Sequence, residues 1–323
     1  MLEAMMGAEV GDDVFKEDPS VNELEAIAAG MFGKESALFC PSGTMTNQIA
    51  IKVHTQPLDE VICDHYSHVY QYETGGPAFN SGVSMNLITG EHGKITAEQV
   101  EAAIKPDFDW LPRTSLVVLE NTCNKGGGSF YTLKEIKPIA ELCQNRNLGL
   151  HLDGARLFNA LVETGETPKE VGSVFDSISI CLSKGLGAPI GSLLIGNQSF
   201  IKQARRVRKV LGGGMRQAGF LAAAGRFALL NHVERLKIDN ERARSIGSLL
   251  ETLPYVEYVR PVKTNIVIFD VKSPWTAESF LKQLAEKGIN AAPFGPQTVR
   301  FVTHLDFTAD MLAQTIKILE NMK

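Results

Sequence analysis

Two residues have the type and setting to do chemistry together, a carboxylate and a primary amine. Asp153 closes the run Leu148-Gly149-Leu150-His151-Leu152 and is followed by Gly154, while Lys184 closes Ser177-Ile178-Ser179-Ile180-Cys181-Leu182-Ser183 and is followed by Gly185. Both runs read as short buried strands that stop at a glycine, so both groups sit at strand ends, where open α/β sheets collect ligands. A lysine in apolar surroundings gives up its proton readily and attacks an aldehyde. A carboxylate nearby can keep a heterocyclic nitrogen protonated. The pair suits pyridoxal phosphate, with Lys184 forming the Schiff base and Asp153 facing the pyridine nitrogen.

Plainer roles exist for each residue. Most lysines are solvated, and Asp153 with Arg156 three residues on could be a helix cap or a first-turn ion pair. Neither explains why an acid ends so apolar a run. Arg156 suits a carboxylate ligand, because a guanidinium binds one through two parallel hydrogen bonds. Ser42-Gly43-Thr44 reads as a turn opening into a helix, whose N–H groups and hydroxyls could seat a phosphate. Asp64, His65, His68, His151 and Asp153 could be assembled into a metal set, but no pair has a helical ligand spacing, so no metal is expected.

The elements that must position these groups alternate between strand and helix patterns. Strands are expected at 36–39, 60–63, 84–88, 115–119, 148–153, 177–182 and 192–195, with helices opening at Ser20, capped there with Glu23 three residues on, and at Ser42. Further helices are expected at 97–104, 133–145, 198–210, 218–236 and 240–253. From 255 onward the pattern is strand 255–260, strand 265–270, helix 277–287, strand 298–302 and helix 309–322. Such alternation predicts an α/β fold with a large, mostly parallel sheet and a smaller C-terminal α+β domain. The expected boundaries are an N-terminal acidic arm and helix start at 1–26, a large domain at 27–238 and a small domain at 239–323.

Composition bounds the partners. With 323 residues, 44% hydrophobic and 21% charged, the chain can fill a large core plus a second one. No apolar run reaches the length of a membrane span, and Met1-Leu2-Glu3-Ala4-Met5-Met6 is unlike a signal peptide, so a cytoplasmic enzyme is expected. Five cysteines without paired spacing fit a reducing compartment. A net charge of −5 argues against nucleic acid as a partner, the basic cluster Arg205-Arg206-Val207-Arg208-Lys209 being the exception.

The motifs Pro41-Ser42-Gly43-Thr44-Met45, Ser67-His68, Glu120-Asn121-Thr122, His151 to Arg156, Leu182-Ser183-Lys184-Gly185, Leu211 to Gln217 and Arg300-Phe301-Val302-Thr303-His304 occur in this order along nearly the whole chain. In this the sequence resembles the low-specificity L-threonine aldolases, which are fold-type I pyridoxal-phosphate enzymes. The resemblance implies cleavage of L-threonine, L-allo-threonine and related β-hydroxy-α-amino acids to glycine and an aldehyde. It implies Lys184 as the cofactor lysine, Asp153 as partner of the ring nitrogen, Gly43 and Thr44 as phosphate ligands, and His68 stacked on the ring. Arg156 and Arg300 would hold the substrate carboxylate. Arg216, and with it Lys209, would reach the cofactor phosphate of a neighbouring subunit, which makes the basic cluster part of an interface in a homotetramer with shared sites. Two departures stand out: the family's Arg-Ser-Asp-Thr segment would precede the start of this chain, and Cys123 replaces a histidine that can contact the substrate β-hydroxyl. That exchange leaves threo against allo preference open. Rival readings are another pyridoxal-phosphate lyase or hydroxymethyltransferase, a cofactor-binding scaffold with little turnover, and a metal hydrolase.

Overall fold

A computed structural model describes residues 1–322. Two compact units emerge, the first made of Met1–Gly126 and Phe130–Val233, the second of Gly127–Ser129 and the chain from Glu234 onward. The first carries a seven-stranded sheet: β1 (Ser36–Cys40), β2 (Asp59–Asp64), β3 (Ser84–Ile88), β4 (Arg113–Glu120), β5 (Gly149–Gly154), β6 (Ser177–Cys181) and β7 (Ser192–Gly196), in the order β1-β7-β6-β5-β4-β2-β3. From β3 through β6 every neighbouring pair is parallel; β7 and β1 add antiparallel rungs at the other side. Strands covered on both faces read as near-continuous apolar runs, and β2, β6 and β7 are buried throughout.

Register decides which side chains meet. Glu120 on β4 lies opposite Asp153 on β5, Asp153 opposite Ser179 on β6, and His151 opposite Ser177 one rung below. Side chains alternate faces along a strand, so His151 and Asp153 share a face of β5, and Ser177 and Ser179 share a face of β6.

The second unit holds β8 (Val256–Val259), β9 (Ile266–Val271), β10 (Ala292–Pro293) and β11 (Thr298–Val302) in the antiparallel order β10-β11-β9-β8. Its core centres on Phe269, which meets Phe280 and Phe301 edge-on at 5.8 and 5.1 Å between ring centroids.

Several boundaries differ from the sequence reading. The first long helix spans Pro19–Met31 and is capped by Asp18, whose Oδ1 accepts from Val21 N at 3.1 Å. Pro19 brings a φ suited to the first helical position, so the helix starts before Ser20, whose hydroxyl donates to Glu9 O instead. The helix expected at 218–236 ends at Asn231, and a separate one runs Leu236–Leu250. Between them His232 Nδ1 bonds Leu186 O at 2.6 Å, and Arg235 pairs with Asp239 in the first turn of the second helix, where an acid suits the helix dipole. Helices Leu157–Thr164 and Pro168–Val174 were not foreseen, although Thr167 and Glu170 form a capping box around Pro168.

The N-terminal arm is anchored by charge and not by apolar burial. Asp13 is 2% exposed, and its Oδ2 accepts from the Arg208 guanidinium at 2.6 Å. Arg208, 3% exposed, also donates to Phe39 O at 2.6 Å, while Arg205 reaches Glu25 at 2.8 Å and Asp13 at 3.4 Å. Glu25 in turn accepts from Phe39 N at 2.8 Å. Arg205 and Arg208 of the basic cluster therefore face inward and tie the arm, the first long helix and β1 to helix Gln198–Val210; Arg206 and Lys209 are its exposed members. Losing one partner of a buried pair strands the other charge. Asp13→Ala is expected to lower stability by about 3–5 kcal/mol, read as an earlier urea midpoint, and a loss under about 1 kcal/mol would contradict the clamp.

Candidate active site

Helix Gly43–His54 lies on the shared polar face of β5 and β6. Toward β5 and β6 it presents polar groups: Thr46 Oγ1 is 2.5 Å from Ser179 Oγ, Asn47 Nδ2 donates to Asp153 Oδ2 at 2.9 Å, and His54 Nε2 is 2.7 Å from Ser177 Oγ. Residues 46, 47 and 54 fall on one side of the helix because seven residues make two turns. Gly43 lets the helix start press onto β6, since a Cβ there would meet Cys181 Sγ at 2.6 Å. Ser42 caps the helix through Met45 N at 3.2 Å, leaving the first N–H groups, which have no partner within any helix, aimed past Gly43 and Thr44.

Beside this helix start a cavity of about 230 Å³ is lined by Ser42, Gly43, Thr44, Asn47, His68, Asp153, Ala155, Cys181, Ser183 and Lys184. Six expected residues, Ser42, Gly43, Thr44, His68, Asp153 and Lys184, thus border one space. Lys184 is half-exposed among mainly polar neighbours rather than sheathed in apolar side chains, because the chain has left β6 by Leu182 and turns at Gly185 to Gly187.

Asn47 is the hub that the sequence did not disclose. Its Nδ2 donates at 2.9 Å to both Asp153 Oδ2 and Glu73 Oε1, and its Oδ1 faces His151 Nε2 at 3.2 Å. Glu73 also accepts from Gln48 at 2.6 Å and lies 3.0 Å from His68 Nδ1. Asp153 is 2% exposed and accepts a second N–H from Ala155 at 3.2 Å. Burial is the largest influence on His68 and disfavours its cation, but the Glu73 hydrogen bond and the charges of Asp153, Glu73 and Glu120 outweigh it and raise its pKa. His68, Glu73 and Asp153 bring ligand-type atoms within 4.8 Å of one another, yet the two facing carboxylate oxygens already share the Asn47 amide. Asp64 and His65 of the metal set lie outside this cluster; Asp64 caps the turns at Tyr66 and Gly90.

Of the other expected residues in this unit, Arg156, Arg216, Lys209 and Cys123 do not line the cavity. Arg156 occupies the N-cap position of helix Leu157–Thr164, next to Ala155, without a side-chain capping bond. Arg216 binds Asp12 at 2.6 Å, and Lys209 borders a separate basic depression with Arg205 and Arg208. Arg300 lies on β11 of the second unit, its guanidinium 4.8 Å from the Phe294 ring centroid. Cys123 is 1% exposed and its thiol donates to Glu120 O at 3.0 Å and Gly93 O at 3.3 Å, so it does not line the cavity. Glu120 and Glu73 escaped the sequence reading as site residues.

This architecture is that of the fold-type I pyridoxal-phosphate enzymes. A structure of threonine aldolase from Leishmania major superposes with a TM-score of 0.83 at 22% identity, over 98% of this chain and 92% of that one. Residues 1–274 match the family model described as beta-eliminating lyase. The low specificity L-threonine aldolase of Escherichia coli K12 is 42% identical over 317 residues, covering 97% of this chain and 92% of its own. A low-specificity L-threonine aldolase of Arabidopsis thaliana is 39% identical over 327 residues, covering 99% and 91%. The chain belongs to the threonine aldolase group of the beta-eliminating lyase family.

Glu120 yields a pH test. Its two oxygens accept from His68 N and Asn124 N, each at 3.0 Å. Burial first, and then the neighbouring Asp153 charge, push its carboxyl up to about 7 from an ordinary 4.5. A native state that binds this proton more tightly than the unfolded chain has its full benefit below the unfolded pKa and loses it as pH rises through the folded one. In the ligand-free protein, stability should fall between about pH 4.5 and 7 by on the order of 3 kcal/mol more than in Glu120→Gln. Urea midpoints across that range check it, and equal pH slopes in the two proteins would contradict it.

Proposed function

We propose that the chain is a carbon–carbon lyase of the threonine aldolase type, cleaving L-threonine, L-allo-threonine and related β-hydroxy-α-amino acids to glycine and an aldehyde. The observation that carries this is the single cavity bordered by Lys184, Asp153, His68 and the helix start at Ser42 to Thr44, in a chain 42% identical to a low specificity L-threonine aldolase. The donor set fits pyridoxal phosphate: an amine for its aldehyde, a doubly hydrogen-bonded carboxylate for its ring nitrogen, an imidazole for its ring face, and free-facing helix N–H groups for its phosphate. When bound, this cofactor supplies an electron sink for the pair released as the Cα–Cβ bond breaks.

The chain's own residues do the rest. Lys184 would be the residue to hold the cofactor, its amine being the one that borders the cavity. Asp153, fixed by Asn47 and Ala155, would be the acceptor for a protonated ring nitrogen. Glu73 accepts the Nδ1–H of His68, which leaves Nε2 as the atom that exchanges a proton with the substrate β-hydroxyl through water. Arg156 and Arg300 are assigned to the substrate carboxylate by the family resemblance. With the Cys123 thiol turned to carbonyls, threo against allo choice falls to His68 and its neighbours. Arg216 and Lys209 are assigned to a neighbouring copy's phosphate site in a cytoplasmic homotetramer, consistent with Lys209 being exposed.

Acetaldehyde and glycine release from L-threonine, followed with the visible cofactor band, tests this reading. Lys184→Ala should lose the band and at least about a thousandfold in kcat/KM. Near-normal turnover in that variant, or pyruvate from serine in place of glycine from threonine, would overturn it.

A further inference from the structure

The helix-to-sheet contact beneath the site carries a hydrogen-bond chain with a single direction. Asn47 Nδ2 lies 2.9 Å from two carboxylate oxygens, Asp153 Oδ2 and Glu73 Oε1. Turned round, the amide would set its oxygen against both, so Oδ1 must face His151 Nε2, 3.2 Å away, and that nitrogen must carry the hydrogen. His151 is fully buried, and burial, followed by the nearby His54, pulls its pKa down to about 3. A neutral ring with hydrogen on Nε2 has a bare Nδ1, which accepts the Ser177 hydroxyl at 2.8 Å. The Ser177 oxygen then accepts from His54 Nε2 at 2.7 Å, and burial holds His54 neutral as well, with a pKa of about 4. Donation runs one way, from His54 to Ser177, His151, Asn47 and the two carboxylates.

We infer that His151 and Ser177 are positioning residues for Asp153 and Glu73, acting through the Asn47 amide. This rests on the pyridoxal-phosphate reading above. Asn47, His151 and Ser177 are 2%, 0% and 0% exposed, so no bulk water replaces a lost member, and an unsatisfied buried group is costly. Removing the His151 donor frees the Asn47 amide to rotate. Asp153 then loses one of its two N–H donors, and Glu73 loses one of those that hold it against His68. One amide therefore orients both the group facing the ring nitrogen and the one steadying the imidazole.

The test uses the holoenzyme. Nitrogen-15 NMR of labelled histidines should show His151 and His54 as Nε2–H tautomers that do not titrate between roughly pH 5 and 8. His151→Leu should weaken pyridoxal-phosphate binding, measured by spectral titration, by about tenfold. His151→Gln, whose amide places a donor near the lost Nε2–H, should recover most of that loss. An Nδ1–H tautomer of His151, or a folded His151→Leu protein with unchanged cofactor affinity, overturns the inference; if His151→Leu does not fold, the wild-type tautomers decide. A wild type with no visible cofactor band overturns the functional reading and, with it, any service of the chain to a cofactor. A normal band with unchanged binding in His151→Leu overturns the positioning role alone.

Discussion

Two carboxylates, Asp153 and Glu73, sit side by side under a helix and away from bulk water, and the site depends on how that repulsion is relieved. The relief is one primary amide, because Asn47 has two N–H bonds and gives one to each acid. Satisfying both acids fixes the amide's direction, and that direction fixes what must face its oxygen. Asp153 becomes a rigid acceptor at the cavity wall, and Glu73 a rigid partner for His68. Glu120, opposite Asp153 in the register, accepts two backbone N–H groups, one of them from His68 itself. Three acids thus hold one imidazole and one strand end in place.

The same solution recurs at the N-terminus. Helix Gly43–His54 buries Ile49, Ala50 and Ile51 in apolar clusters with other strands, yet over β5 and β6 it meets the sheet through a polar seam. The arm before Pro19 could have been held by leucines, yet Asp13 is held by Arg208 and Arg205. Buried ionic contacts of this kind favour one register over its neighbours, since a shifted arm would strand charges where a shifted apolar contact would merely loosen. Asp18 extends the tie by accepting Gly219 N at 2.8 Å, where no side chain could fit on the glycine.

Strand ends were legible because Leu148 to Leu152 and Ser177 to Leu182 are short apolar runs closed by glycines, and parallel pairing of β5 with β6 then brings their polar termini to one edge. Ser42 to Thr44 was legible for a similar reason, as small residues at a helix start. Asn47 and Glu73 were not, because a polar residue in a half-apolar helix and an acid in a loop have meaning only once the fold sets them against Asp153. Asp13 was hidden by its type: an acid in an acidic run reads as solvated, and its partner Arg208 is 195 residues away. The break between helices Gly219–Asn231 and Leu236–Leu250 was expected a few residues later, at 237–239, because His232-Val233-Glu234-Arg235 holds no glycine or proline to mark it and His232 finds its partner in the distant Leu186 carbonyl.

The central claim is that Lys184, out of all the lysines, carries the cofactor at a site defined by Asp153. Borohydride reduction of the pyridoxal-phosphate-loaded protein, proteolysis and mass spectrometry of the peptides test it directly. The expected result is one modified peptide bearing the reduced adduct on Lys184. An adduct on another lysine such as Lys209 or Lys125, or no adduct, would contradict it.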